Sequence, residues 1–118
     1  MAYLTLTLVL DSGARVGPGK AALLESVAST GSISAAARSM GMDYKRAWLL
    51  IESLNRAFVS PVVERTIGGA GGGGARLTPF GEDLLSRYCK LQEAAAKLAA
   101  IDLELLEQQA TQDMGPKV

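Results

Sequence analysis

The sequence predicts a mainly α fold with a small β component (α+β): a three-helix core, a β-hairpin before it, a two-stranded wing after it, and one long helix at the end. Three observations carry this. The opening MAYLTLTLVL alternates with the two-residue period of a strand, with Leu4, Leu6, Leu8 and Leu10 on one face and Tyr3, Thr5, Thr7 and Val9 on the other. Glycine, proline and small polar residues then divide the chain into three helical lengths. Finally, six of the seven residues 68–74 are glycine, and they separate two strand-like stretches ahead of a long amphipathic segment.

Each element has a local cause. Asp11-Ser12-Gly13 turns the chain, and Ala14-Arg15-Val16 returns as a short second strand. Pro18 opens a helix to about Thr30, buried through Leu23, Leu24 and Val27 and stopped by Gly31. Ser32 is placed to cap a short helix over Ser34–Met40, which Gly41 closes. Asp43 caps a third helix over Tyr44–Phe58. Pro61 forbids further helix and begins the strand 62–67, to which Ala75-Arg76-Leu77 returns. Thr78-Pro79 reads as N-cap and first position of the last helix, which runs to about Gln108, with Glu82 and Asp83 near the positive end of its dipole. The expected division is 1–77 for the core and wing, 78–108 for the long helix, and 109–118 for a flexible tail.

Composition narrows the function. With 118 residues, 48% hydrophobic and 20% charged, the chain suits one folded domain. It has no histidine, which removes the commonest general base and metal ligand. Its one cysteine, Cys89, excludes an internal disulfide and a multi-cysteine zinc site. No acid–base pair, nucleophile or metal cluster stands out, so neither an enzyme nor a cofactor is expected. The apolar opening is short and lacks a basic leader; no membrane partner is expected, and the cytoplasm is the expected location.

The net charge is zero, but it is unevenly spread. Residues 15–76 hold eight basic and four acidic side chains, a balance of +4; residues 82–113 hold three and seven, a balance of −4. Such a division suggests one surface for a polyanion and another for a different task.

Residues 33–52 fit a helix-turn-helix. Ala37 is small where the two helices cross, Gly41 suits the turn, and Ala36, Met40, Met42, Ala47, Leu50 and Ile51 fall at inward spacings. On the third helix Ala47, Leu50, Ile51, Leu54 and Phe58 form one stripe. The opposite face carries Lys45, Leu49, Glu52 and Arg56, flanked by Tyr44, Arg46 and Trp48, as a recognition helix would present to the major groove. Lys45 and Arg46 suit guanine acceptors or phosphates, and Tyr44 and Trp48 suit phosphates or thymine methyls. Trp48 fits core packing beside Phe58 equally well. Ser32 and Ser34 suit a phosphate, and for Ser32 plain capping is the other reading.

The glycine tract lacks the Lys-Ser/Thr that a nucleotide-binding loop requires and lies between strands, so a wing tip fits better. Arg65 and Arg76 stand at its base; Arg76 is expected on a phosphate, whereas Arg65 is divided between a phosphate and an internal ion pair. In the last helix Leu84, Tyr88, Leu91, Ala95, Leu98, Ile101 and Leu105 make an apolar stripe too long for the small core to cover. The same helix of a second copy is the expected partner, with folding back on its own chain as the alternative.

The runs GSISAAARSMGMDYKRAW (Gly31–Trp48), VVERT (62–66) and GGGGARLTPFG (Gly71–Gly81), with GPGKAALLESV (Gly17–Val27), resemble the LysR-type winged helix-turn-helix. The similarity is greatest to the DNA-binding half of molybdate-responsive ModE-type regulators and covers about residues 3–108. It implies a homodimeric transcriptional regulator that binds palindromic sites on double-stranded DNA through recognition helix and wing. ModE-type regulators sense molybdate through a C-terminal oxyanion-binding region beyond the similar stretch, so molybdate binding is not carried over. The alternative function is a winged protein-interaction module that docks a partner through the long helix; steep salt dependence would distinguish DNA binding from apolar docking.

Overall fold

In the computed structural model, residues 2–67 and 74–111 are described. The elements run β1 (Leu8–Val9), β2 (Arg15–Val16), α1 (Pro18–Thr30), α2 (Ile33–Ser39), α3 (Tyr44–Ala57), β3 (Val63–Thr66), β4 (Gly74–Leu77) and α4 (Pro79–Gln109). β1 pairs antiparallel with β2, and β3 with β4 in the register Val63↔Leu77 to Thr66↔Gly74.

Local chemistry sets the helix ends. Gly31 ends α1 at φ 73°, a left-handed geometry that glycine adopts without Cβ strain, and its N–H bonds Val27 O at 2.8 Å. Ser32 caps α2 by accepting from Ala35 N, and Asp43 caps α3 by accepting from Arg46 N at 2.7 Å. Thr78 caps α4 through Gly81 N and also donates to Pro61 O, fastening the start of that helix to the loop before β3.

The core gathers Leu23, Leu24 and Val27 of α1, Ala36 and Ala37 of α2, and Ala47, Ile51 and Leu54 of α3 with Val62, Leu77 and Leu84. Met40, Met42, Leu50 and Phe58 pack against it while half-buried. Phe58 meets Phe80 of α4, ring centroids 5.1 Å apart.

Two expectations need correction. The opening strand is paired only over Leu8–Val9, because β2 stops where Pro18 starts α1. Residues 2–7 instead lie along α4: Leu6 N donates to Gln92 Oε1 at 3.0 Å, Gln92 Nε2 donates to Leu4 O, and Tyr88 Oη donates to Leu6 O at 2.7 Å. The alternation persists, with Leu4, Leu6 and Leu8 half-buried between exposed Tyr3, Thr5 and Thr7. Second, Leu84 and Tyr88 of the long-helix stripe are buried by their own chain, so they face the core instead of a second copy. The first turns of α4 are therefore core structure. Beyond them Leu91, Leu98, Ile101 and Leu105 stay exposed, Leu98 at 87% and Ile101 at 72%. The helix has 31 residues, about 46 Å at 1.5 Å per residue, and gives the protein a 54 Å long axis. The expected tail falls outside the described residues from 112 onward.

Candidate nucleic-acid interface

α3 turns its apolar stripe to the core, so its other face is left outward. There Tyr44, Lys45, Arg46, Leu49 and Arg56 are exposed. Lys45 and Arg46 have no ion-pair partner among the described residues, and their charges stand in the first turn of the helix. Trp48 is half-buried beside them. Phe58 meets Phe80 in a tilted ring pair, so the aromatic partner of Phe58 is Phe80 and not Trp48.

The wing joins α3 through a polar contact. Arg65 Nη2 donates to Tyr44 Oη at 3.1 Å, a neutral partner that leaves the guanidinium charge uncompensated. Ser32, Ile33, Ser34, Tyr44, Arg65, Thr66 and Gly74 line a depression of about 260 Å³ between α2, α3 and the wing. Within it Ser32 Oγ is engaged as a cap, and exposed Ser34 Oγ accepts from Arg38 Nη1 at 3.2 Å. The site suits one anionic oxygen group: it presents a guanidinium and several hydroxyls.

Of the two wing arginines, it is Arg76, expected on a phosphate, that makes the internal ion pair. Arg76 Nε meets Glu64 Oε1 at 2.8 Å, because the β3–β4 register sets these residues opposite each other. Among the described residues Arg65 has no such carboxylate. Both members of the Arg76–Glu64 pair are exposed, so the pair is worth little in stability, but it cancels charge at this edge of the wing. The glycine tip of the wing, 68–73, lies outside the described residues.

Backbone contact holds the wing against the helices. Ala75 N donates to Gly31 O at 2.9 Å, and a Cβ on Gly74 would lie 2.6 Å from Thr66 Oγ1 and 2.9 Å from Gly31 O. Elsewhere, Tyr88 is the titrating group whose environment stands out: burial pushes its phenol above the ordinary value, and neighbouring Cys89 adds to the shift. Among the described residues no three His, Cys, Asp or Glu side chains gather as metal ligands, and no helix is long and apolar enough to cross a membrane.

Residues 20–82, more than half of the chain, match the family described as "Bacterial regulatory helix-turn-helix protein, lysR family". The chain belongs to this family. Among the similar proteins, the molybdenum-pterin-binding protein MopB of Rhodobacter capsulatus is 47% identical over 87 residues, 74% of this chain and 32% of that protein. The DNA-binding transcriptional dual regulator ModE of Escherichia coli (strain K12) is 40% identical over 96 residues, 81% of this chain and 37% of that protein. The chain thus spans about a third of the length of these relatives. A crystal structure of a CbnR_DBD–DNA complex shares the fold, with a TM-score of 0.56 at 18% identity over 71% of this chain and 91% of that one.

In this lysR-family chain two features escaped the sequence reading. Asn55 Oδ1 accepts from Val62 N at 2.7 Å and Val63 N at 3.1 Å, and its Nδ2 donates to Val63 O, which ties α3 to the first strand of the wing. Only its position before Pro61 hinted at this. Lys20, at the start of α1, donates to Arg15 O at 2.9 Å and reaches Ser53 Oγ of α3 at 3.5 Å, which brings the N-terminal hairpin beside α3.

Proposed function

We propose that this lysR-family chain is the DNA-binding part of a transcription regulator, acting as a homodimer on double-stranded DNA. α3 enters the major groove, and the wing, 68–74, lies near the backbone or minor groove. The outward face of α3 carries this reading: Lys45 and Arg46 are exposed in the first turn, where a recognition helix approaches base edges, and have no ion-pair partner among the described residues. Tyr44, Arg65, Ser32 and Ser34 take a backbone phosphate at the α2–wing depression, which fixes register and leaves sequence to α3. Trp48 stands beside this phosphate path, and Arg76 joins it only by giving up Glu64.

Leu91, Ala95, Leu98, Ile101 and Leu105 of α4 form the interface with the second copy, since an apolar stripe this exposed gains by leaving water. The molybdenum in the relatives' names is left to those proteins. In the test, Lys45→Ala/Arg46→Ala is compared with the unaltered chain on a duplex selected by the latter. Each lost base contact costs about 1–3 kcal/mol, so discrimination between selected and scrambled duplex collapses. Unchanged discrimination would overturn the assignment of α3.

A further inference from the structure

The wing flank of α3 is not its most basic one. Arg15 of β2, Lys20 of α1, and Arg46 and Arg56 of α3 line two adjoining depressions, of about 280 and 370 Å³, that share Arg15 and Lys20. Ser12 and Ser53 add hydroxyls to the first, and Met42 and Leu50 floor the second. Arg15, Arg46 and Arg56 are exposed. Among the described residues none of the four cations has an ion-pair partner. Among the described residues the nearest acids in sequence, Asp11, Glu25, Asp43 and Glu52, form no ion pair with them, although Asp43 lies close to Arg46 by accepting from its backbone N–H. On the wing flank, by contrast, Arg76 is paired with Glu64, and among the described residues Arg65 and Arg38, which donates to Ser34 Oγ, are the cations left without an ion pair.

The two flanks face opposite ways. Tyr44, which meets the wing, and Ser53, which meets Lys20, are nine residues apart on α3, about 180° around the axis at 3.6 residues per turn. Lys45 lies between them on the outward face, about 100° from Tyr44. A helix in the major groove lies between two phosphate walls, because the groove is about 12 Å wide and bounded by both strands. The wing meets one wall.

We propose that the N-terminal β-hairpin is a second phosphate-binding element, in which Arg15, Lys20 and Arg56 grip the opposite strand of the duplex beside the base-reading Arg46. This rests on the reading of α3 as the recognition helix. The contact carries no sequence information; it widens the footprint and supplies affinity through counterion release. Hairpin and recognition helix move as one body through the Lys20 bonds to Arg15 O and Ser53 Oγ, so the patch also sets the depth and tilt of α3 in the groove.

The experiment measures binding of full chain and Arg15→Gln/Arg56→Gln to a selected 30-base-pair duplex and to its scrambled counterpart, between 50 and 200 mM salt. Both residues are exposed and make no side-chain bond among the described residues, so the fold is retained. Losing two phosphate contacts per chain lowers the salt slope by about 1.8 per chain, at about 0.9 per contact. Over a fourfold salt range the unaltered protein then loses about 12-fold more affinity per chain bound than the variant. The ratio of selected to scrambled binding stays the same. An unchanged slope, or a fall confined to the selected duplex, would overturn the hairpin contact while leaving the reading of α3 intact. If the unaltered chain binds neither duplex, the reading of α3 itself fails and the hairpin contact with it. If the double variant is unfolded by circular dichroism, Arg15→Gln and Arg56→Gln are measured singly, each with a slope change of about 0.9 expected and none contradicting.

Discussion

Gly81→Ala tests the joint between core and long helix. Gly81 is buried in the first turn of α4, where a Cβ would lie 2.1 Å from Val62 O and 3.0 Å from Val62 C. Both are backbone atoms, so no rotamer change relieves the clash. α4 must shift away from the 61–62 loop, and that loop is held by Thr78 N to Val62 O at 3.0 Å and Thr78 Oγ1 to Pro61 O at 2.7 Å. Overpacking costs about 1–3 kcal/mol, and loosening the buried Thr78 bonds adds about 1–3. The better helix propensity of alanine returns up to about 1 kcal/mol. These ranges sum to a loss of about 1–6 kcal/mol, with about 3 kcal/mol as the central expectation. For a domain near 100 residues a loss of about 3 kcal/mol lowers Tm by roughly 12–24 °C, since each kcal/mol is worth about 4–8 °C. Gly19→Ala is the matched control: it lies in the first turn of α1, nothing is within 4 Å of its Cβ, and stability rises by up to about 1 kcal/mol. The assay is thermal and urea unfolding followed by circular dichroism at one fixed protomer concentration, because association shifts Tm. A Gly81→Ala variant as stable as the unaltered chain would refute the packing argument.

Two further outcomes are expected. Leu98→Asp/Ile101→Asp places charge on the exposed stripe of α4 without touching the core, so sedimentation shows a folded monomer at concentrations where the proposed dimer of the unaltered chain is expected; an unchanged dimer would move the interface elsewhere. Tyr88 is a buried phenol raised by desolvation, then by Cys89, and it donates to Leu6 O. A folded pKa above the unfolded value near 10 gives stability that is fully present below pH 10 and lost as pH climbs through the folded pKa. Alkaline unfolding curves therefore steepen for the unaltered chain and flatten for Tyr88→Phe; identical curves would show that the Tyr88 phenol carries no such linkage.

The elements written in local chemistry were legible in the sequence. Pro18, Gly31, Ser32, Asp43 and Thr78 act on backbone groups within four residues, and the helices begin and end near them. The inward stripe of α3 was legible for the same reason, since period and burial coincide. What escaped depended on register and distant partners. The Arg76–Glu64 pair follows from the strand register of the wing, which a loop of glycines does not fix in the sequence. Residues 2–7 kept their alternation but found α4 instead of a second strand, because Gln92 and Tyr88 offer side-chain partners more than 80 positions away. Leu84 and Tyr88 belong to the same helical stripe as Leu91 and Leu98, and periodicity cannot tell which stretch of one stripe its own core covers. The basic flank of the hairpin was hidden similarly: Arg15 and Lys20 are distant in sequence from Arg46 and Arg56, and only the packing of α1 on α3 brings them together.

Selecting bound duplexes from a random pool addresses the proposed paired reading of DNA most directly. Two copies joined through α4 predict enrichment of an inverted repeat whose half-sites are one turn, ~34 Å, or a multiple apart, bound by two chains per duplex. A pool that shows no enrichment, or one non-repeated site bound by a single chain, would contradict it.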